Sequence, residues 1–185
     1  MTTIIHPEDR PAGRRGFEIV LPSGATDGAA ALVEGEIAAA TPGPPLHTHA
    51  ESDETYFVLE GSLVMYIDGE VTTLGPGGMA HISKGTEHTW STTVEGGCHF
   101  LTLHLPGGYE LYHPTALAAE HEKGGPLIQS DLFELAAKFD WRMAGTEPMR
   151  LTPEGVLVPA GQADAEAQRL LATFTKQPVA KQPVA

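Results

Sequence analysis

The first hundred residues are broken by turn-forming clusters at roughly ten-residue intervals: Pro42-Gly43-Pro44-Pro45, Asp68-Gly69, Gly75-Pro76-Gly77-Gly78 and Gly96-Gly97. Proline fixes φ and removes a backbone donor, and glycine admits the positive φ that tight turns demand. Between such breaks there is room for short strands and little room for a helix of stable length. The segments themselves fit strands: Phe17–Leu21, Ala29–Ala39, Leu46–His49, Thr55–Glu60, Ser62–Ile67, Val71–Leu74, Met79–Ser83, His88–Thr93 and Cys98–Leu105. Asp68-Gly69 is the strongest hairpin signal, because Leu63, Met65 and Ile67 alternate before it and Asp-Gly suits a two-residue turn. The rhythm predicts an all-β fold, an antiparallel sandwich or barrel.

The pattern changes after Gly107-Gly108. Pro114 suits the first turn of a short helix running to His121. Ser130 is placed to cap a second helix, in which Leu132, Leu135, Ala136 and Phe139 recur at helical spacing behind Asp131 and Glu134. A third helix is expected at about Asp164–Phe174. The chain ends in a five-residue repeat, Lys176-Gln177-Pro178-Val179-Ala180 and the same again, whose prolines and few apolar groups predict disorder. The expected organisation is an arm at 1–15 carrying Arg10, Arg14 and Arg15, a barrel at 16–112, a mostly helical extension at 113–175 packed on the barrel, and a disordered tail at 176–185.

A net charge of −13 argues against nucleic acid and anionic membrane as partners, since both require a cationic face. Met1 to Gly16 has no apolar core of a signal peptide, and no stretch reaches membrane-spanning length; a cytoplasmic location is expected. The single cysteine, Cys98, excludes an intramolecular disulfide. It heads an apolar run, which predicts a buried, inert thiol.

Chemistry concentrates in one stretch. His47 and His49 stand two apart, the spacing that turns both rings to one side of a strand. Ala50, Glu51, Ser52 and Asp53 give enough chain to kink and reset the register, so that Glu54 aims at the same point. His88 follows after Lys84-Gly85-Thr86-Glu87, a turn that delivers it. Three imidazoles and a carboxylate converging make a site for one divalent transition metal ion, with Fe, Mn, Ni, Co, Cu and Zn all compatible. His6, His113 and His121 are read as surface or loop histidines. Tyr56, Met65, Ile67, Trp90 and Phe100 are candidates to wall a pocket. Alternation in Cys98–Leu105 puts Phe100, Thr102 and His104 on one face, so His104 either faces the pocket near the metal or is a partly exposed strand histidine. His81 has weaker standing.

The run from Gly43 through His47, His49 and Glu54 to Gly61, and the later run Gly77, Ser83, Lys84, Gly85, His88 and Thr92, resemble the two motifs of the cupin superfamily. The segments Gly43–His49, Asp53-Glu54, Tyr56–Gly61 and Pro106–Glu110 resemble single-domain bacterial cupins of the quercetin-dioxygenase-like type. The resemblance covers about residues 17–112. It departs from the pattern at Gly78, Ser83 and Thr92, where the second motif usually has aspartate, proline and asparagine, and in a short gap from Gly43 to His47. It implies a jelly-roll barrel (a double-stranded β-helix) with a short C-terminal helical extension. The metal lies inside, on His47, His49, Glu54 and His88. Glu54 is preferred over Glu51 and Asp53 because it alone has the motif distance to both His49 and Gly61. Asp53 is expected on the opposite face, hydrogen-bonding a turn.

The resemblance further implies a dioxygenase acting on a small phenolic, flavonol-like or enolisable substrate together with dioxygen. Glu54 serves there as ligand and base, and the protein is expected to be a homodimer. A non-redox isomerase, cyclase or lyase, or a non-catalytic ligand-binding cupin, are the alternatives.

Overall fold

The computed structural model describes residues 2–11, 13, 16–151 and 157–159. Its strands are β1 (Phe17–Leu21), β2 (Ala31–Ile37), β3 (Pro45–His49), β4 (Asp53–Gly61), β5 (Leu63–Ile67), β6 (Glu70–Leu74), β7 (Met79–Ile82), β8 (His88–Thr92) and β9 (Cys98–Leu105). Then come α1 (Tyr112–Lys123), α2 (Gln129–Ala136), β10 (Trp141–Leu151) and β11 (Leu157–Pro159). One sheet has the order β1-β2-β9-β4-β7 and the other β11-β10-β3-β8-β5-β6. From β2 to β5, and again from β6 to β10, each successive strand lies in the opposite sheet. This is a double-sheet jelly roll, antiparallel as the turn rhythm predicts and of the type the family resemblance implies.

The strands are short, and several are half-buried by alternation. In β2, Ala31, Val33, Gly35 and Ile37 point inward, and in β9 Cys98, Phe100, Thr102 and His104 do. The inward residues Ile37, Tyr56, Val58, Leu63, Met65, Ile82, Trp90, Cys98 and Phe100 pack as one core. Asp68 and Gly69 both have positive φ (48° and 91°), the pair of conformations a two-residue primed turn needs, and Ile67 faces Glu70 across it. Two motif glycines are forced by crowding. A Cβ on Gly43 would stand 1.6 Å from the Trp90 carbonyl oxygen, and one on Gly61 (φ +75°) would stand 2.0 Å from that of Gly97.

The N-terminal arm is held at Arg10, whose guanidinium donates to Glu34 of β2 at 2.9 Å. At the other end, α1 and α2 join Tyr109, Leu127, Phe139, Trp141 and Met143 in a second apolar cluster around Tyr112, Ala116, Leu135 and Ala136. Helix α1 starts at Tyr112, two residues before Pro114, which falls in its first turn as expected. Helix α2 is not capped by Ser130. It begins at Gln129, and Asp131 reaches back to accept the Ile128 N–H at 3.2 Å while receiving Lys123 at 2.6 Å. A carboxylate one turn in satisfies a free N–H that a serine inside the helix cannot reach.

The extension is also less helical than the expectation. Trp141–Leu151 is a strand, β10, paired with β3 on one side and β11 on the other. Trp141 and Met143 are half-buried while Arg142 and Ala144 are exposed, a strand alternation hidden by Gly145 and Pro148. Both fall where the β10–β3 register shifts, between Met143 and Pro148, and irregular pairing is where a sheet tolerates them. The third expected helix and the repeat tail lie outside the described residues.

Candidate metal centre

Each of the four histidine and glutamate side chains owes its aim to a specific piece of backbone. β3 carries His47 and His49 inward, with exposures of 1 % and 2 %. The chain then turns at Ala50–Ser52 and crosses to the other sheet, where β4 presents Glu54 at 3 %. The Ser83–Thr86 turn delivers His88, fully buried, directly opposite His47. One ligand atom from each of the four lies within 4.8 Å of the others. Donors at about 2.1 Å from a shared ion stand at most about 4.2 Å apart, so a small inward adjustment closes the set. Asp53, on the opposite face of β4, accepts the Lys84 N–H at 2.9 Å in the turn that leads to His88. Glu51 is exposed.

The hydrogen bonds fix the tautomers. His47 Nδ1 donates to the Pro45 carbonyl at 2.8 Å and His88 Nδ1 to that of Thr86 at 3.0 Å. Each neutral ring therefore keeps a lone pair on Nε2, the arrangement found in histidine ligands oriented by a backbone carbonyl. His88 Nε2 nevertheless lies 2.9 Å from Glu54 Oε2. Two acceptors at that distance require a proton or a cation between them. Among the described residues neither nitrogen of His49 has a hydrogen-bond partner, although Nε2 is 3.4 Å from Glu54 Oε2. A buried imidazole without partners, beside an ionised carboxylate, suits a cation-binding donor set. The residues fit a divalent transition metal.

The charges follow from this packing. Burial alone would raise Glu54, yet the histidines around it, His104 foremost, hold its carboxyl well below the usual range. Burial and the neighbouring His88 and His49 push His47 down, so it is neutral. Burial also works against charged His88, but the Glu54 hydrogen bond and charge outweigh it and leave the ring raised. The Cys98 thiol is buried and pushed up to about 11, consistent with an inert core residue.

The remaining candidates fall on three surfaces. Met65, Trp90 and Phe100 lie in the core beneath the site, with Trp90 and Phe100 ring centroids 5.8 Å apart; Ile67 packs on the edge of that core. Tyr56 belongs to the same core, its ring 5.6 Å from that of Phe100, and its hydroxyl is raised by burial and then by the Glu54 charge. His104 is fully buried with Nε2 3.5 Å from Glu54 Oε1, so it faces the site and is not a half-exposed strand residue. His81 is on the outside, bonded to Thr55 at 2.9 Å. His6 and His121 are exposed. His113 is not a surface residue: it is 5 % exposed, 4.8 Å from the Phe17 ring, because the face of α1 that carries it closes on the barrel.

Sequence reasoning missed the aromatic roof. Tyr109 lies 4.5 Å from His104 and 5.4 Å from His49, Trp141 lies 4.7 Å from His47, and the Tyr109 and Trp141 rings stack at 5.4 Å. Tyr109 is placed by Glu110, a fully buried carboxylate taking the N–H groups of Ser23 at 2.8 Å and Gly108 at 2.7 Å. Trp141 is placed by β10, whose register sets it opposite His49. The Trp141/Met143 alternation was the available signal.

Residues 33–104 match the model of the cupin domain. An uncharacterized protein from Aquifex aeolicus (strain VF5) is 43% identical over 49 residues, covering 26% of this chain and 40% of that protein; the match thus spans less than half of that relative's length. Among solved structures, KdgF from Halomonas sp. is 18% identical with a TM-score of 0.48, covering 57% of this chain and 94% of its own. The polyketide cyclase RemF from Streptomyces resistomycificus is 25% identical with a TM-score of 0.46, covering 57% and 80%. A cupin protein from Bacteroides fragilis is 26% identical with a TM-score of 0.40, covering 43% and 68%.

Proposed function

From the match of residues 33–104 to the cupin-domain model and the buried three-histidine, one-glutamate cluster, we propose that the chain is a metal-dependent enzyme, a non-haem dioxygenase of small phenolic, flavonol-like or enolisable substrates. The observation that carries this reading is the His47, His49, Glu54 and His88 quartet. It combines imidazole nitrogen donors with a carboxylate held ionised in a site closed to bulk water. These four residues would hold the ion, and the ion would supply Lewis acidity and, for a redox-active metal, access to dioxygen chemistry.

The rest is the protein's own contribution. Glu54, charged at neutral pH and close to three imidazoles, accepts the proton of a substrate hydroxyl. The stacked Tyr109 and Trp141 rings over His49 and His47 offer flat apolar faces to a planar substrate and exclude water.

Elemental analysis of protein purified without added metal, combined with oxygen uptake against a phenolic and flavonol panel, tests the proposal. One transition ion per chain and substrate-dependent oxygen consumption are expected. Zinc with turnover but no oxygen uptake would move the assignment to Lewis-acid isomerisation, cyclisation or elimination. His47→Ala, His49→Ala and His88→Ala should each lose most of the metal; full occupancy in all three would remove the site assignment.

A further inference from the structure

In each sheet a directly opposed pair of ionisable ligand-type side chains faces the barrel interior. In the six-stranded sheet His47 faces His88, and in the five-stranded sheet Glu54 faces His104. Opposed residues on one face have their Cβ atoms about 4.5–5.5 Å apart, so His104 is carried to the site by the same register that carries Glu54. Its Nε2 stands 3.5 Å from Glu54 Oε1, and its ring centroid 5.9 Å from that of His49. It is fully buried, and among the described residues neither of its nitrogens has a hydrogen-bond partner.

A neutral imidazole has one donor and one acceptor, and burying both unmade carries a desolvation cost that native interiors avoid. The surroundings do not relieve it. The Tyr109 ring lies 4.5 Å away, tilted 35° to the imidazole, which holds the ring without satisfying its nitrogens. Both oxygens of nearby Glu110 are taken by the Ser23 and Gly108 N–H groups. His49 shares this unpartnered state and belongs to the quartet. His104 differs from it in lying on the opposite sheet, in facing Glu54 Oε1 where His49 faces Oε2, and in standing outside the set of donors within 4.8 Å of one another, so that it would reach the ion only by an inward shift of its ring.

We propose that His104 is a fifth protein ligand of the metal centre, giving four imidazoles and one carboxylate. This rests on the metal reading above and adds to it. Three rings, of His47, His49 and His88, come from one sheet, and one ring and the carboxylate, of His104 and Glu54, come from the other. Five protein donors would leave a six-coordinate ion at most one further position for a substrate. With four imidazoles to hold the ion, Glu54 would be free to take a proton.

Metal-free protein loaded with Cu(II), with coordinated imidazoles counted by pulsed EPR, tests this, alongside Co(II) loading followed by visible d–d absorption. The wild type should show four imidazoles, and His104→Gln three, with a changed Co(II) spectrum and affinity reduced by more than the 10–100-fold that losing an outer-shell partner costs. Melting curves check that the variant is folded. A wild-type count of three, or a His104→Gln protein whose loaded-ion spectra match the wild type, overturns the fifth ligand; the wild-type count stands even if the variant does not fold. Wild-type protein that takes up neither ion overturns the metal reading itself, a separate failure.

Discussion

Glu54 is asked to be a ligand, the charge partner of three histidines and a base, and these roles separate on substitution. Glu54→Gln keeps the shape and one neutral oxygen donor, so the barrel should fold and part of the metal should remain. The amide cannot accept a proton at neutral pH, so turnover per bound metal should fall by roughly 10²–10⁴-fold. Asp53→Asn should be much milder, because Asp53 spends its carboxylate on the Lys84 N–H at 2.9 Å and faces away from the site. Turnover and metal content measured together decide it: full turnover per metal in Glu54→Gln would end the base assignment, and a larger loss at Asp53 would transfer it. Individual ligand positions could be read from the sequence because strand period and turn chemistry are local. The roof residues could not. Tyr109 and Trp141 meet His104 and His47 through packing that is not local, and the Trp141/Met143 alternation marks a strand without saying which strand it pairs with. His113 was misread for the same reason: its burial is created by Phe17, ninety-six positions away.

At the scale of elements, the strands from β1 to β9 were legible because most are bounded by glycine or proline turns, and β2, β3, β4 and β9 alternate in burial. β10 was not, because its pairing is long-range and its composition includes two residues that usually end strands. What attaches it is Asp140, in the left-handed conformation (φ +69°). Its Oδ1 accepts the N–H of Ala50 at 2.9 Å and of Glu51 at 3.0 Å. Its Oδ2 accepts the Ser52 N–H at 3.0 Å and the Ser52 hydroxyl at 2.9 Å. Three successive N–H groups around one carboxylate form an anion nest, and here it ties the roof strand to the turn between His49 and Glu54. Asp140→Ala should cost about 1–3 kcal/mol, the range for charge-assisted hydrogen bonds lost at a partly solvated site. Burial raises the Asp140 carboxyl, but the nest outweighs it and leaves it below its usual value. With the folded value depressed, the stabilisation is fully present above the unfolded pKa of about 3.9 and fades as pH falls through the lower folded value. Urea unfolding of wild type and variant should therefore differ at pH 7 and converge towards pH 3; a gap of the same size at pH 3 would assign the effect to lost packing.

For the whole molecule, the decisive fact is that the candidate ligands bridge two sheets. His47 and His49 on β3 and His88 on β8 belong to one, and Glu54 on β4 to the other. No helix among the described residues is long and apolar enough to cross a membrane, and the barrel's cohesion rests on the apolar core below the site and the aromatic cluster above it. Between these lies a layer of buried histidines and a carboxylate, in which unpartnered nitrogens oppose stability. An ion bound there converts that layer into a cross-link specific to the folded state, because the unfolded chain does not hold the four donors together. A ligand that binds only the folded form stabilises by about 4 kcal/mol at a thousand times its dissociation constant. For a chain of this size each kcal/mol moves Tm by about 2–4 °C. Metal-free protein should thus melt about 10 °C below protein with saturating ion, with chelator reversing the gain. His47→Ala and His88→Ala should lose most of the shift while keeping a cooperative transition, since the apolar core is untouched. If the wild type melts at the same temperature with chelator and with Fe, Mn, Ni, Co, Cu or Zn, the buried quartet does not bind metal in the folded protein, and the functional reading built on it fails with it.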